Sequence, residues 1–261
     1  IPFKGQILTE IANFWFEKTK NIAPNHIISS PDPQVLVAKK AETLPVEVIV
    51  RGYITGSLWR EYEQGINGQY GFMLPEGLKK DQKFDTPILT PSTKAEYGEH
   101  DEPIARDAIV NGLVEESIYS QAEEYALKLF EVGQEWVAKQ GLILVDTKYE
   151  MGRDSSGEIM LIDEIHTPDS SRYWIAKTYN ERMTAGQEPQ NIDKEFLRLW
   201  FVDNCDPYND ETLPEAPEEL VAELSSRYIY LYETITGGLF PFPDLGKPVN
   251  ERINENLKEV L

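Results

Sequence analysis

Disulfides, membrane spans and a basic surface are all missing from this sequence, and each gap removes a class of protein. One cysteine, Cys205, in 261 residues cannot form an internal disulfide, and a reducing cytosol is the simplest setting for such a chain. Cys205 sits in Asp203-Asn-Cys-Asp-Pro with no histidine near it in sequence, so an ordinary loop thiol is favoured over a nucleophile. No stretch approaches the roughly 20 continuous apolar residues of a membrane helix. The 45 Asp and Glu against 25 Lys and Arg leave a formal charge of −20. That surface repels nucleic acid phosphates and anionic membranes, which makes both poor partners. The opening Ile1-Pro-Phe-Lys-Gly5 has neither an initiator methionine nor the layout of a signal peptide, so the chain is expected to begin partway into a longer protein. Phosphate-loop patterns of the GxxxxGK[ST] or GxGxxG kind are absent, as are internal repeats.

What remains is globular: 41% hydrophobic and 27% charged, long enough for one large domain or two smaller ones. Apolar spacing predicts a helix over 5–20 with Ile7, Ile11, Phe14 and Trp15 inward, then a Pro- and Asn-bearing loop. Strands are predicted at 35–38 and 46–51, and long ordered loops with short strands over 65–100. A long helix from about 115 to 140 buries a stripe of Ile118, Ala122, Tyr125, Leu129 and Trp136 and stops at Gly141. A buried strand follows, and residues 145–165 form a hairpin turning at Asp154-Ser-Ser-Gly157. Helices over 193–201 and 218–235 come next, and the proline-bearing tail from 239 wraps the surface before a short terminal helix.

The chemistry concentrates on the hairpin. In Val145-Asp-Thr-Lys-Tyr-Glu150 the charges fall at every second position, which aims Asp146, Lys148 and Glu150 at one face of a strand. Folding at 154–157 brings Ile162-Asp-Glu164 alongside, so three or four carboxylates and a lysine share a patch. Oxygen-rich patches of this kind suit Mg²⁺, and Lys148 can meet a phosphate or acyl oxygen. The plainer alternative is a solvated strand with salt-bridging charges. The continuation Thr167-Pro-Asp-Ser-Ser-Arg-Tyr-Trp174 favours the site, because a loop with a carboxylate, hydroxyls and an arginine suits anion capture. His166 can serve as acid or base, but a satisfied structural histidine is the favoured reading. A second cluster, Arg51-Gly-Tyr-Ile-Thr-Gly-Ser57, can cradle a phosphate on a glycine turn, or be a turn beside a solvated arginine. A third, residues 90–102, carries Lys94 and Asp101, or simply leads to a helix cap.

Taken together these stretches resemble the SAICAR synthetase (phosphoribosylaminoimidazole-succinocarboxamide synthase) family of purine biosynthesis. The resemblance is carried by Leu44-Pro-Val-Glu-Val-Ile-Val-Arg-Gly-Tyr-Ile-Thr-Gly-Ser57, Thr90-Pro-Ser-Thr-Lys-Ala-Glu-Tyr-Gly-Glu-His-Asp101, Val145-Asp-Thr-Lys-Tyr-Glu-Met-Gly152 and Ile162-Asp-Glu-Ile-His-Thr-Pro-Asp-Ser-Ser-Arg-Tyr-Trp174. Asp193-Lys-Glu-Phe-Leu-Arg198 fits a later motif, and the matches run in family order to about residue 235.

The resemblance implies an α+β, two-lobed fold with antiparallel sheets, flanking helices and a kinase- or ATP-grasp-like nucleotide site. Residues 1–47 would be the remainder of a smaller ATP-covering lobe and 48–261 the larger catalytic lobe. The family's glycine-rich ATP-covering strand-turn has no counterpart here, and its pattern is joined at Ile1. The implied reaction joins L-aspartate to carboxyaminoimidazole ribonucleotide using ATP, through an acyl phosphate. By resemblance Glu150 and Asp163 would hold Mg²⁺, while Asp146 orients and Lys148 neutralises the transferring group. Arg51, Ser57, Arg172, Asp169 and Arg198 would bind the ribonucleotide, and Lys94 and Asp101 belong to a loop closing over the reacting groups. A small-metabolite kinase on the same hairpin, or a non-catalytic module with a retained pocket, are the other readings. Oligomeric state is not legible.

Overall fold

Alternating apolar residues in Leu44-Pro-Val-Glu-Val-Ile-Val50 build the strand around which the protein is organised. A computed structural model of the chain describes residues 1–94, 101–192, 195–206, 210, 212–258 and 260. Its first half runs α1 (Lys4–Thr19), β1 (Ile27–Asp32), β2 (Val35–Ala38), β3 (Glu42–Tyr53), α2 (Gly56–Glu63), β4 (Lys83–Leu89) and β5 (Ser92–Thr93). Then come α3 (Arg106–Gly112), α4 (Glu116–Lys139), β6 (Leu142–Arg153), β7 (Ile159–Leu161) and β8 (Ser171–Ile175). Helices α5 (Ala176–Thr184), α6 (Glu195–Asn204), α7 (Glu218–Thr236) and α8 (Val249–Leu257) follow.

The main sheet orders its strands β4-β3-β6-β7, with β5 also paired to β3 and β8 to β6; β1 and β2 form a separate hairpin. All of these pairings are antiparallel, as the expected α+β class requires. One face of the sheet is covered by helices. Leu144, Tyr149 and Met151 of β6 pack there with Ile7, Ile11 and Trp15 of α1, Leu129 and Phe130 of α4, and Leu231 of α7. The register between β6 and β8 shifts between Leu144 and Asp146. That irregularity changes which parity of β6 faces the helices, leaving Val145 to pack with Tyr53 and Trp174 on the opposite side. The expected division between residues 47 and 48 falls within β3.

Several expectations are corrected. The stretch after α1 is not all loop, since Ile27–Asp32 forms β1. Its polar residues and Pro31 hid it, and both are tolerated because the two-stranded sheet consists of edges only. The buried stripe of α4 is Tyr119, Ala122, Ala126, Leu129, Phe130, Gly133 and Val137, with Ile118, Tyr125 and Trp136 only partly buried at its margins. Small residues mark the line of closest approach: a Cβ on Gly133 would lie 2.6 Å from the His166 ring. Ser171–Ile175 is a strand rather than a capture loop, because Thr167 closes a tight turn that accepts bonds from the Asp169 and Ser170 amides. The glycine turn at Gly56 opens α2, and α3 and α5 were also unforeseen. The predicted helix at 193–201 is seen as Glu195–Asn204, its first two positions lying outside the described residues.

His166 is structural, as expected. It is fully buried, packs edge-on to Trp15 and shares a 2.5 Å hydrogen bond with the Tyr149 hydroxyl. Its φ of 54° is one that histidine and asparagine adopt more readily than most side chains. Burial pushes its pKa from 6.5 down to about 3. An unfolded histidine takes up its proton near 6.5 while the folded one stays neutral until about 3. Stability from this group is therefore full above that range and falls with acidification through it, by ~1.4 kcal/mol per pH unit. Urea denaturation at pH 4, 5 and 6 should show His166→Asn with a shallower acid loss than the parent by about that slope; equal slopes would refute the assignment.

Candidate active site

The site face of the sheet follows from one register. In the β3–β6 ladder Arg51 lies opposite Asp146, Ile49 opposite Lys148 and Glu47 opposite Glu150. Directly opposed residues share a face, so the charges of β6 meet those of β3 in two groups at either end of a short row.

The first group centres on Arg51, buried at 5% exposure. Its Nε donates to Thr90 Oγ1 at 2.7 Å, and its two terminal nitrogens reach Asp146 Oδ2 and Ser57 Oγ, each at 3.3 Å. Arg172, brought in by β8 opposite Asp146, ion-pairs with the same carboxylate oxygen. Burial pulls the Arg51 pKa below its ordinary value, and Asp146 opposes that loss. Gly56, at the start of α2, has φ +60°, and a Cβ there would sit 2.5 Å from the Arg172 guanidinium. Only glycine lets the helix N-terminus approach the arginine so closely. Beside them opens a cleft of about 340 Å³ lined by Gly56, Arg172, Arg198, Lys80 and Asp81 among others. Burial raises the Asp81 pKa, while the Thr55 hydroxyl and the neighbouring Lys80 oppose the rise. Arg60, Lys80, Arg172 and Arg198 line the cleft against Asp81, Glu63 and Glu188, and Arg51 and Ser57 lie behind Asp146 and outside its lining; the arginine cluster is the part suited to an anion.

The second group is Lys148, Lys94, Glu47 and Glu150. Lys148 Nζ lies 2.8 Å from Glu47 Oε1 and 2.9 Å from Glu150 Oε1, and Lys94 pairs with the other oxygen of Glu150. Asp146 and Glu150 are each met by cations, Asp146 by Arg51 and Arg172 and Glu150 by Lys148 and Lys94, the salt-bridged arrangement that was the plainer alternative for this strand. Among the described residues no three or more His, Cys, Asp or Glu are gathered as metal ligands. Asp163 stands just past β7, where the Ile162 amide bonds the Glu150 carbonyl at 3.1 Å. Its cavity, about 320 Å³, lies between α1 and the β1–β2 hairpin. Mg²⁺ at a phosphate takes one or two carboxylates and fills its octahedron with phosphate and water oxygens. The donor chemistry of Glu150 and Asp163 fits that demand.

The remaining predicted residues are placed as follows. Arg198, on α6, lines the same cleft as Arg172. Asp169 holds Lys4 Nζ at 2.7 Å and accepts from the Tyr228 hydroxyl at 2.7 Å, so it ties α1 to α7. Asp101 is exposed beside Glu102, whose backbone is bonded to Thr93. The span 95–100 of the expected closing loop lies outside the described residues. Glu47 and Thr90 were missed. The parity argument used for β6 applies equally to Glu47, which is four residues from Arg51 on its strand; Thr90 carried no comparable signal.

Comparisons with known proteins point to one family. Residues 1–214 match the family described as SAICAR synthetase. The phosphoribosylaminoimidazole-succinocarboxamide synthase of Legionella pneumophila (strain Paris) is 52% identical over 266 aligned positions, covering 100% of this chain and 85% of its own. The chloroplastic enzyme of that name from Arabidopsis thaliana is 53% identical, covering 100% of this chain and 64% of its own. Among solved structures, the Saccharomyces cerevisiae SAICAR synthase complexed with SAICAR superposes with a TM-score of 0.78 at 35% identity, over 93% of this chain and 84% of that one.

Asp146→Ala should leave the buried Arg51 and its neighbour Arg172 without their shared carboxylate and cost ~3–5 kcal/mol in urea denaturation. Inorganic phosphate should then stabilise the variant more than the parent protein, since an added anion replaces the lost one. An identical phosphate response in both would argue against an anion site here.

Proposed function

Since the chain belongs to the SAICAR synthetase family, we infer that it is an ATP-dependent ligase joining L-aspartate to carboxyaminoimidazole ribonucleotide, giving SAICAR, ADP and phosphate in purine biosynthesis. The observation that carries the residue-level reading is the division of the β6 face: an arginine-rich anion group at Asp146 and a lysine–carboxylate group at Glu150, four residues apart on one strand.

A carboxylate is a poor electrophile until one of its oxygens is phosphorylated. The first half of the reaction therefore brings two anions together, and the second expels phosphate after the aspartate amine has attacked the acyl carbon. Both halves need charge neutralisation more than they need a protein nucleophile. In our reading Arg51, Ser57 and Arg172 grip the ribonucleotide phosphate, with Arg198 on the cleft wall and Asp169 near the ribose. Asp146 holds both arginines in orientation, so the grip exists before substrate arrives. Lys148 and Lys94 each carry an ammonium held by Glu150, and they move that charge to the transferring phosphoryl and acyl oxygens. Asp101 would assist at the same reacting groups.

Glu150 and Asp163 would hold Mg²⁺, which would supply charge neutralisation for the phosphate oxygens. The two-lobe division, residues 1–47 over 48–261, would let the smaller part cover ATP. Small-molecule substrates are its partners in this scheme; nucleic acids and membranes are not, which suits the net charge of −20. No helix among the described residues is long and apolar enough to cross a membrane. A reducing compartment, the cytosol in the simplest case, suits the single thiol.

ADP release should require ATP, the ribonucleotide and L-aspartate together; release that is indifferent to aspartate would identify a kinase instead. Glu150→Ala and Asp163→Ala should each lower turnover by orders of magnitude, with the loss read as a higher Mg²⁺ requirement. Near-full activity in both would overturn the metal assignment.

A further inference from the structure

The carboxylate of Asp32 closes the β1–β2 hairpin and is wholly buried, with a side-chain exposure of 0%. Both of its oxygens are engaged by a helix more than 200 residues away in sequence. Arg252 of α8 donates Nε to Oδ2 at 2.8 Å and a terminal nitrogen to Oδ1 at 3.1 Å, and Asn256 adds a bond of 2.9 Å. The Gln34 amide completes the set at 2.9 Å, so the clamp is continuous with the backbone of the hairpin. A bidentate arginine on a buried carboxylate fixes direction as well as distance.

The tail leading to α8 is itself anchored. Gln6 of α1 donates to the Pro241 carbonyl at 2.8 Å, and Phe240 is buried against Phe3 and Tyr232. Two residues beyond Asp32, Gln34, and then Leu36, line the cavity that contains Asp163 and Glu164. No residue of α8 lines that cavity. Among the described residues, the side-chain hydrogen bonds from the helix to the hairpin all end on Asp32. Helix α8 also lies beyond the span 1–214 that matches the family.

We propose that α8 is a positioning element for the nucleotide: the Arg252–Asp32–Asn256 clamp holds the β1–β2 hairpin as the wall of the Asp163 cavity and thereby sets the affinity for Mg-ATP. Arg252 and Asn256 act through Asp32 and touch no reactant. The inference rests on the reading of Asp163 as a metal ligand at the ATP phosphates.

Steady-state kinetics of the full chain test it, using the parent, Arg252→Ala, Arg252→Lys and Asn256→Ala. Arg252→Ala should raise KM for ATP about 10-fold, the scale of a lost charge-assisted bond, with KM for L-aspartate and for the ribonucleotide and kcat at saturating ATP unchanged within about twofold. Arg252→Lys should recover part of the loss, and Asn256→Ala should show a smaller rise with the same selectivity. Amide hydrogen exchange across residues 27–38 should quicken in Arg252→Ala and slow again on adding Mg-ATP. An unchanged KM for ATP in the folded variants, or an equal rise in all three KM values, overturns the proposal. If Arg252→Ala does not fold, the KM values of Asn256→Ala and Arg252→Lys decide between the same outcomes. A parent protein without aspartate-dependent ADP release, or an Asp163→Ala variant with unaltered ATP dependence, would instead overturn the reading beneath it.

Discussion

The pairing of β3 with β6 sets out the two charge groups of the site, to which β8 adds Arg172 and the residue after β5 adds Lys94. Seven paired positions hold the two strands in register, and within that ladder Arg51 can only face Asp146 and Glu47 can only face Glu150. A slip of one residue would turn Lys148 and Glu150 into the helix-covered core and bring Tyr149 out. Such a slip is opposed by the full burial of Tyr149 and Met151 among α1, α4 and α7. Apolar packing on one face of the sheet thus enforces electrostatic geometry on the other.

That arrangement has an energetic logic. Arg51 and Asp146 have side-chain exposures of 6% and 7%, where an unpaired charge would be costly and a paired one contributes little net stability. What the pairing provides is orientation: in the proposed reaction, guanidiniums fixed in this way would not need to reorganise when the substrate's charge develops. The lysines differ. Lys94 and Lys148 are each 37% exposed in their side chains and hold a more buried carboxylate. Exposure leaves them free to exchange a carboxylate partner for a phosphate at small desolvation cost, which is what a group that must follow a moving phosphoryl requires.

Much of this was legible in the residues themselves. Period-two alternation placed Asp146, Lys148 and Glu150 on one face, and the turn at 154–157 is where the spacing put it. Helices α1, α4 and α7 were visible because their apolar period is long and uninterrupted. Other features were hidden for physical reasons. β1 draws its stability from its partner strand and the distant α8 instead of its own hydrophobicity, so its sequence resembles a loop. Of the α4 stripe read from the sequence, Ala122 and Leu129 are buried, while Ile118, Tyr125 and Trp136 lie at its margins because the helix turns Tyr119, Ala126, Phe130 and Gly133 into the core. The lysine partners of the carboxylates went unread because charge alternation shows which groups share a face, not which of them will pair across it.

The bond between Asp32 and Arg252 also sets an order of events during synthesis. Its two ends are separated by 220 residues of chain, so the hairpin leaves the ribosome long before its clamp exists. At roughly 5–20 residues per second, the β1–β2 pair waits tens of seconds or less with both edges open and its aspartate unmated. Chains released early would carry a fully translated β6 hairpin beside a hairpin still unfastened. Fastening of the hairpin therefore waits on synthesis of α8.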